Sequence, residues 1–257
     1  MLKINHLALF LSLFLVLSSC TTDNTDDENK IDKTANLQGL GDSANDLLSD
    51  VRYTSMNIEI AYVTGYAPSQ EAIAEFKNFL QDRVYKPDGI QINQRAVESS
   101  GKAPFDIEEI AAIEKDTRSL YNVGDEIAVF IYFADGSSEK DEENRFVLGS
   151  AFRNTSMVIY GETIENFANR PNAPSKADIE AATLNHEFGH LFGLVDLGTE
   201  PQSDHKDEEY AGHCNISGCL MQASIEFGSG IVDVIDGGNI PGLDGQCIFD
   251  LQNNGGK

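Results

Sequence analysis

Basic residues are scarce in this sequence. Its 257 residues include 18 lysines and arginines but 42 aspartates and glutamates, which gives a formal net charge of −24. An acidic surface of this kind repels phosphate backbones over a Debye length, so we expect no nucleic-acid partner. Tryptophan is absent as well, without functional consequence. The hydrophobic share of 41% is enough for a packed core, which excludes a chain that is disordered throughout.

Long apolar runs are also scarce. One is present, from Leu7 to Leu17, and it is shorter than the ~20 residues that a membrane-spanning helix needs. It predicts a signal peptide over residues 1–19. The tetrad Leu-Ser-Ser-Cys that ends at Cys20 resembles the lipobox of bacterial lipoproteins, whose cysteine carries acyl chains; the alternative is an ordinary signal peptide with an incidental cysteine. The resemblance implies a lipid anchor in the bacterial cell envelope, in the outer membrane or at the cell surface.

The remaining chain divides into a tether and a domain. Residues 20–53 are rich in Asp, Asn and Thr and predict an acidic, disordered tether. Residues 54–193 alternate between strand and helix patterns, which predicts an α+β fold with a small, mixed, twisted sheet, two helices on one side and a long third helix. Glycine, aspartate and cysteine dominate residues 194–257, which predict a loop-rich second lobe.

The third helix carries the motif His186-Glu187-Phe188-Gly189-His190. Helical residues four apart share one face, so His186 and His190 can bind one ion. Glu187 lies about 100° further round the helix, beside the ion, where it can accept a proton from bound water. Imidazole ligands suit Zn²⁺. The motif therefore predicts a catalytic zinc with Glu187 as the general base.

The third ligand has more than one candidate. Gly193 ends the helix and turns the chain, which can bring Asp196 back to the ion. The run HEFGHLFGLVD, residues 186–196, resembles the HExxHxxGxxH pattern of metzincin metallopeptidases, some of which carry aspartate at the last position. His205 and His213, which follow in the chain, are the alternatives.

A second stretch, HCNISGCLM from His213 to Met221, is closely similar to the archaemetzincins, a metzincin branch. That resemblance implies a metzincin-like fold, with His213 as third ligand and Met221 as the methionine that packs beneath the metal. The chain departs from the family by inserting residues 196–212 between the two motifs. Asp196, His205 and His213 therefore all remain open as the third ligand.

The cysteines other than Cys20 are Cys214, Cys219 and Cys247. Three cysteines in an exported protein cannot all pair with one another, and we expect a disulfide between Cys214 and Cys219. The archaemetzincin resemblance implies an alternative, a second and structural zinc held by the three cysteines with Asp250 in the fourth place.

Taken as a whole, the resemblance implies a monomeric zinc metalloendopeptidase that acts on peptide or protein substrates. Residues 149–160 would then form the edge strand above the cleft, where an extended peptide can pair. One alternative is a surface lipoprotein that binds a peptide or a matrix polymer and uses zinc structurally. Another is a hydrolase of non-peptide amides, which would use the same residues.

Overall fold

The computed structural model describes residues 31–143, 145–227, 235 and 238–257. The predicted signal peptide, Cys20 and the first part of the predicted tether lie outside these residues. Among the helices within them, none is both long enough and apolar enough to cross a membrane.

Five strands form one mixed sheet in the order β2-β1-β3-β5-β4. Strand β1 pairs in parallel with β2 and β3, β3 pairs in parallel with β5, and β4 runs antiparallel to β5 at the edge of the sheet. The register places Ile58 opposite Ile92 on one side and Val129 on the other. The strands are β1 Ser55–Val63, β2 Gly89–Val97, β3 Glu126–Ala134, β4 Gly149–Arg153 and β5 Ser156–Tyr160.

Seven helices accompany the sheet in the described part of the chain. The two predicted helices form, and each begins with a side-chain cap: the Ser69 hydroxyl accepts a hydrogen bond from the Ala72 amide, and the Asp106 carboxylate accepts one from the Glu109 amide. The helices are α1 Ala44–Leu48, α2 Gln70–Arg83, α3 Ile107–Thr117, α4 Gly161–Ala168, α5 Lys176–Leu191, α6 Ala223–Glu226 and α7 Gly245–Asn253.

Helices cover both faces of the sheet. Phe76 of α2 and Phe188 of α5 belong to the core on one face, whereas Ile110 and Ile113 of α3 belong to a second core on the other. The expectation of helices on one side is therefore wrong. The continuous apolar run of β3 explains the difference, because both of its faces need cover and successive strand residues point to opposite faces.

The folded domain begins earlier than the sequence predicts. Asn36 is fully buried and donates hydrogen bonds to the carbonyl of Ala128 (3.0 Å) and to Oδ1 of Asn122 (2.7 Å). Helix α1 follows, and Nζ of Lys86 donates to the carbonyls of Asp46 (2.9 Å) and Tyr53 (2.8 Å). The predicted tether over residues 20–53 is therefore wrong from about residue 34 onward, because the polar side chains here are satisfied by hydrogen bonds within the fold.

The chain beyond α5 has few regular elements up to residue 227, as predicted. Helix α7 is an exception that the sequence analysis missed. The Asp244 carboxylate caps it by accepting from the Gln246 amide (2.6 Å), and one face of the helix buries Cys247, Asp250 and Leu251. The overall architecture, a mixed sheet with helices and a loop-rich C-terminal part, confirms the predicted fold class.

Candidate metal centre

Helix α5 presents two imidazoles to one point. The helix begins after Ser175, whose hydroxyl accepts from the Asp178 amide (3.1 Å), and the left-handed φ of 70° at Gly193 turns the chain away just after the helix ends. His186 and His190 are both buried, and their Nε2 atoms lie 3.0 Å apart. One zinc ion at about 2.1 Å from each nitrogen fits this separation.

His213 is the third imidazole of the same cluster. Its ring centroid lies 5.3 Å from that of His186 and 5.1 Å from that of His190. The Nδ1 atom of His213 contacts the carbonyl of Ala211 at 3.2 Å, which leaves Nε2 to face the cluster. That buried Nε2 lies 2.8 Å from Oε2 of Glu226, and both atoms belong to the same group of possible metal ligands.

Asp196, the third ligand that the HExxHxxGxxH spacing suggests, lies outside the histidine cluster. Its side chain is 57% exposed and forms a 2.7 Å ion pair with Lys206. Val195 and Asp196 both have left-handed backbones, with φ of 56° and 70°, and these point the carboxylate into solvent. The structure therefore contradicts the placement of Asp196 in the histidine cluster. The inserted loop ends at Gly212 and brings His213 to that place instead.

Glu187 is held beside the cluster by strand β4. Its Oε2 accepts a hydrogen bond from the Ala151 amide (2.8 Å), while Oε1 is buried without a partner in the described part of the chain. Gly149 makes room for this carboxylate, because a Cβ there would lie 2.7 Å from Cγ of Glu187. Burial, reinforced by the nearby Glu226, raises the pKa of Glu187 well above its ordinary value.

The histidines are in the form that binds metal. Burial, with the neighbouring His213, lowers the pKa of His186 to about 4. Burial also holds the pKa of His190 well below its ordinary value. Both rings are therefore neutral at neutral pH, and a neutral imidazole is the metal ligand.

The loop that contains Met221 packs against α5. Met221 is fully buried, and its Sδ would lie 2.3 Å from a Cβ at Gly189, so this methionine lies directly against the metal-site helix. The carbonyl of the preceding residue, Leu220, lies 2.7 Å from Nδ1 of His186. This contact leaves Nε2 of His186 free for an ion.

The histidine cluster opens into a cleft of about 210 Å³. Glu226, which the sequence analysis missed, reaches this cleft from α6, and one ligand atom from each of His186, His190, His213 and Glu226 lies within 4.8 Å of the others. No spacing in the sequence singles out this glutamate. The cleft is lined by Leu40, Ser150, Ala151, Glu187, His190, Leu197, Ala211, His213 and Glu226.

A second cluster brings together the three described cysteines. All three are buried and none is in a disulfide, so the predicted Cys214–Cys219 bond is wrong. The Sγ atoms of Cys219 and Cys247 are 3.7 Å apart, which exceeds an S–S bond length of about 2.05 Å. Nδ1 of His205 lies 3.4 Å from Sγ of Cys214 and 3.8 Å from Sγ of Cys247.

Asp250 does not join the sulfur atoms. Its Oδ2 lies 2.7 Å from Nε2 of His205, and its Oδ1 accepts from the Gln202 amide (2.7 Å). His205 thus occupies the fourth place that the sequence analysis gave to Asp250, and Asp250 orients the imidazole. The pairing was missed because His205 comes from the inserted loop, where nothing in the local sequence links it to the cysteines.

Hydrogen bonds between the three thiols shift their pKa values. Hydrogen bonds from Cys219 and Cys247 lower the pKa of Cys214 to about 5, and the hydrogen bond to Cys214 raises the pKa of Cys219 to about 12. Cys214 is therefore the thiol of this cluster that loses its proton most readily. A thiolate next to two thiols and an imidazole is a soft donor set that suits zinc.

The fold resembles that of a solved archaemetzincin. No protein-family model and no curated protein matches the sequence. Among solved structures, the chain is similar to archaemetzincin from Methanopyrus kandleri, with a TM-score of 0.50 and 18% sequence identity over 79% of this chain and 97% of that one. At this identity the similarity establishes the fold, and the chemistry has to be argued from the residues themselves.

Proposed function

We propose that this protein is a zinc-dependent metalloendopeptidase whose ion is held by His186, His190 and His213. The observation that carries the proposal is the convergence of three buried imidazoles beside the carboxylate of Glu187, in a cleft that is open to solvent. Bound zinc supplies a Lewis acid that polarises a peptide carbonyl and acidifies a water molecule.

Glu187 is the proposed general base. The Ala151 amide fixes Oε2, so Oε1, which has no partner within the described residues, is the atom that accepts the proton from water. The raised pKa of Glu187 suits its second task, because a carboxyl that keeps its proton can pass it to the leaving amine.

Strand β4 supplies the proposed wall for the substrate. It lies at the edge of the sheet, and Ser150 and Ala151 line the cleft beside Glu187. An extended peptide can form main-chain hydrogen bonds with such an edge. This arrangement favours a polypeptide substrate over a small non-peptide amide.

A second candidate function is a surface protein that binds a peptide or polymer and uses the ion structurally. One specific observation favours it: Glu226 offers a fourth ligand atom to the cluster, and four protein ligands are typical of structural zinc sites. The position of Glu187 favours catalysis, because a structural site has no use for an adjacent carboxylate that does not bind the ion.

The test is a peptide-library digest followed by mass spectrometry. Wild-type protein should cleave peptides, lose the activity to a chelator and regain it with added zinc. Glu187→Gln should keep its zinc while hydrolysis falls by about 10²- to 10⁴-fold. Glu165→Gln, the same change at an exposed position, is the control. A zinc-loaded wild-type protein that cleaves nothing would favour the structural alternative.

We also propose a second, structural zinc at Cys214, Cys247 and His205, with Cys219 or Asp244 as the fourth ligand. Ligand atoms of His205, Cys214, Asp244 and Cys247 lie within 4.8 Å of one another, and Sγ of Cys219 is 3.7 Å from that of Cys247. Three sulfurs and one nitrogen are a common donor set for structural zinc, and the carboxylate of Asp250 behind His205 is the usual outer partner of a zinc-bound imidazole. The purified protein should therefore hold two zinc ions per chain by elemental analysis, and one in a Cys247→Ser variant that still folds.

We further propose that Cys20 carries an acyl anchor in the bacterial envelope, as the lipobox resemblance implies. We also propose that the protein is a monomer. Cys20→Ser should abolish incorporation of a labelled fatty acid and release the protein from membranes, whereas Cys247→Ser should not. Gel filtration of the chain without its first 30 residues should give a mass near that of one copy.

A further inference from the structure

Glu226 lies unusually close to the third histidine. Its Oε2 is 2.8 Å from Nε2 of His213, yet that nitrogen has no hydrogen-bond partner in the described part of the chain. The two atoms are therefore near each other without the alignment of a hydrogen bond. Two ligands of one ion show this arrangement, because each directs a lone pair to a common point and not to the other.

The backbone of Glu226 is fixed. Its carbonyl accepts from the Leu148 amide (2.9 Å), and the next residue, Phe227, forms a β-bridge with Val147. The guanidinium of Arg145 lies 3.5 Å from the centre of the Phe227 ring. The side chain is less constrained, being 18% exposed at the cleft surface. It can turn within the cleft while its backbone stays in place.

Charge gives a second reason to place a cation at Glu226. Glu187 and Glu226 line the same cleft, and the charge of Glu226 acts on Glu187. Ionising both carboxyl groups in this partly buried cleft is unfavourable, and a dication bound at the histidine cluster offsets that cost. The described residues that line the cleft include no lysine or arginine whose positive charge could offset the two carboxylates.

We propose that Glu226 is a displaceable fourth ligand of the ion held by His186, His190 and His213. This inference rests on the proposed function, since the fourth position is the one that a substrate needs. In the resting protein the carboxylate closes the site, and an incoming ligand must displace it. The openness of the cleft and the four-ligand cluster are both explained in this way.

Azide binding to the cobalt-substituted protein tests the proposal without depending on hydrolysis. Azide competes for the fourth position and changes the visible absorption of cobalt. We expect azide to bind about 10-fold more tightly to Glu226→Gln than to wild type, because the amide is a weaker ligand. The control Glu209→Gln removes the same charge from an exposed loop position and should match wild type. Equal azide affinity in all three proteins would overturn the proposal.

Two further measurements separate displacement from chemistry. Glu226→Gln should release zinc to a competing chelator about 10-fold more readily, because one ligand is weakened. Its kcat/KM for a peptide should rise, mainly through a lower KM. A zinc-loaded Glu226→Gln protein that no longer hydrolyses peptide would make Glu226 part of the reaction and overturn the displaceable role. If neither protein hydrolyses peptides, the proposed function fails while the azide result still decides the role of Glu226.

Discussion

The carbonyl oxygen of Leu220 lies 2.7 Å from Nδ1 of His186, and this contact connects the two candidate metal clusters. Leu220 follows Cys219 directly in the chain, just as Cys214 follows His213. The sulfur cluster therefore positions His213, through the neighbouring Cys214. It also positions the Leu220 carbonyl that contacts His186, through the neighbouring Cys219. We infer that metal binding at the two clusters is coupled.

This coupling predicts a remote effect of Cys247→Ser. The substitution removes a sulfur from α7, which contributes no residue to the histidine cluster. It should still weaken zinc binding there by up to about 10-fold, the lower end of the effect of an outer partner, because it reaches His186 only through Cys219 and Leu220. Competition with a chromophoric chelator measures that affinity. Leu251→Ala is the matched control, because it loosens the same buried face of α7 and keeps every thiol. If both variants lose affinity equally, packing of α7 and not metal coupling is the cause.

Gly149 offers a test of how Glu187 is positioned. In Gly149→Ala the new Cβ would meet Cγ of Glu187 at 2.7 Å and its Oε1 at 2.9 Å, so the carboxylate must move. We expect peptide hydrolysis to fall by about 10²-fold with the zinc content unchanged, because a displacement of about 1 Å is enough for such a loss. Gly245→Ala, where nothing lies within 4 Å of the new Cβ, should keep full activity. Unchanged hydrolysis in Gly149→Ala would contradict the assignment of Glu187.

Lys86 predicts how the folded amino-terminal segment responds to pH. Burial lowers the pKa of Lys86 from 10.5 to about 8. Between these values the unfolded chain holds a proton that the folded protein has released, so the free energy of unfolding rises with pH in this window. The unfolding free energy of wild type minus that of Lys86→Met should therefore become more positive from pH 7.5 to pH 10, by on the order of 1 kcal/mol after allowing for solvent screening.

Urea unfolding at several pH values measures this difference. The exposed Lys115→Met is the control, and its difference from wild type should stay constant over the same range. A Lys86→Met difference that shrinks as the pH rises would show that the ammonium is stabilised by its carbonyl partners, Asp46 and Tyr53, more than it is destabilised by burial.

Much of the fold could be predicted because its signals are local. The caps at Ser69 and Asp106, the periodic apolar faces of α2 and α3 and the apolar run of β3 each depend on a few neighbouring residues. The segment around Asn36 could not be predicted, because its burial depends on partners such as Asn122 and Thr155 that are distant in sequence. A polar composition alone does not distinguish a solvated tether from a buried hydrogen-bonded segment.

The candidate site shows the same difference between local signals, which the sequence reveals, and contacts between distant residues, which it does not. His186 and His190 share a helix, so their spacing alone brings them together. His213, His205 and Glu226 reach their clusters through loops, and loop paths are not encoded in a short spacing. The aspartate at the expected metzincin position was misleading because the left-handed backbone at Val195 and Asp196 directs that side chain outward.

Replacing the two rival third ligands is the most direct check on this site. His213→Ala should lower the zinc affinity of the histidine cluster by more than about 100-fold, since a direct ligand matters more than its outer partners. Asp196→Ala should change that affinity little, because it removes an exposed ion pair with Lys206. Elemental analysis after dialysis against a weak chelator measures the bound zinc. The reverse pattern, with zinc lost only from Asp196→Ala, would mean that the chain binds its ion with the loop in another conformation.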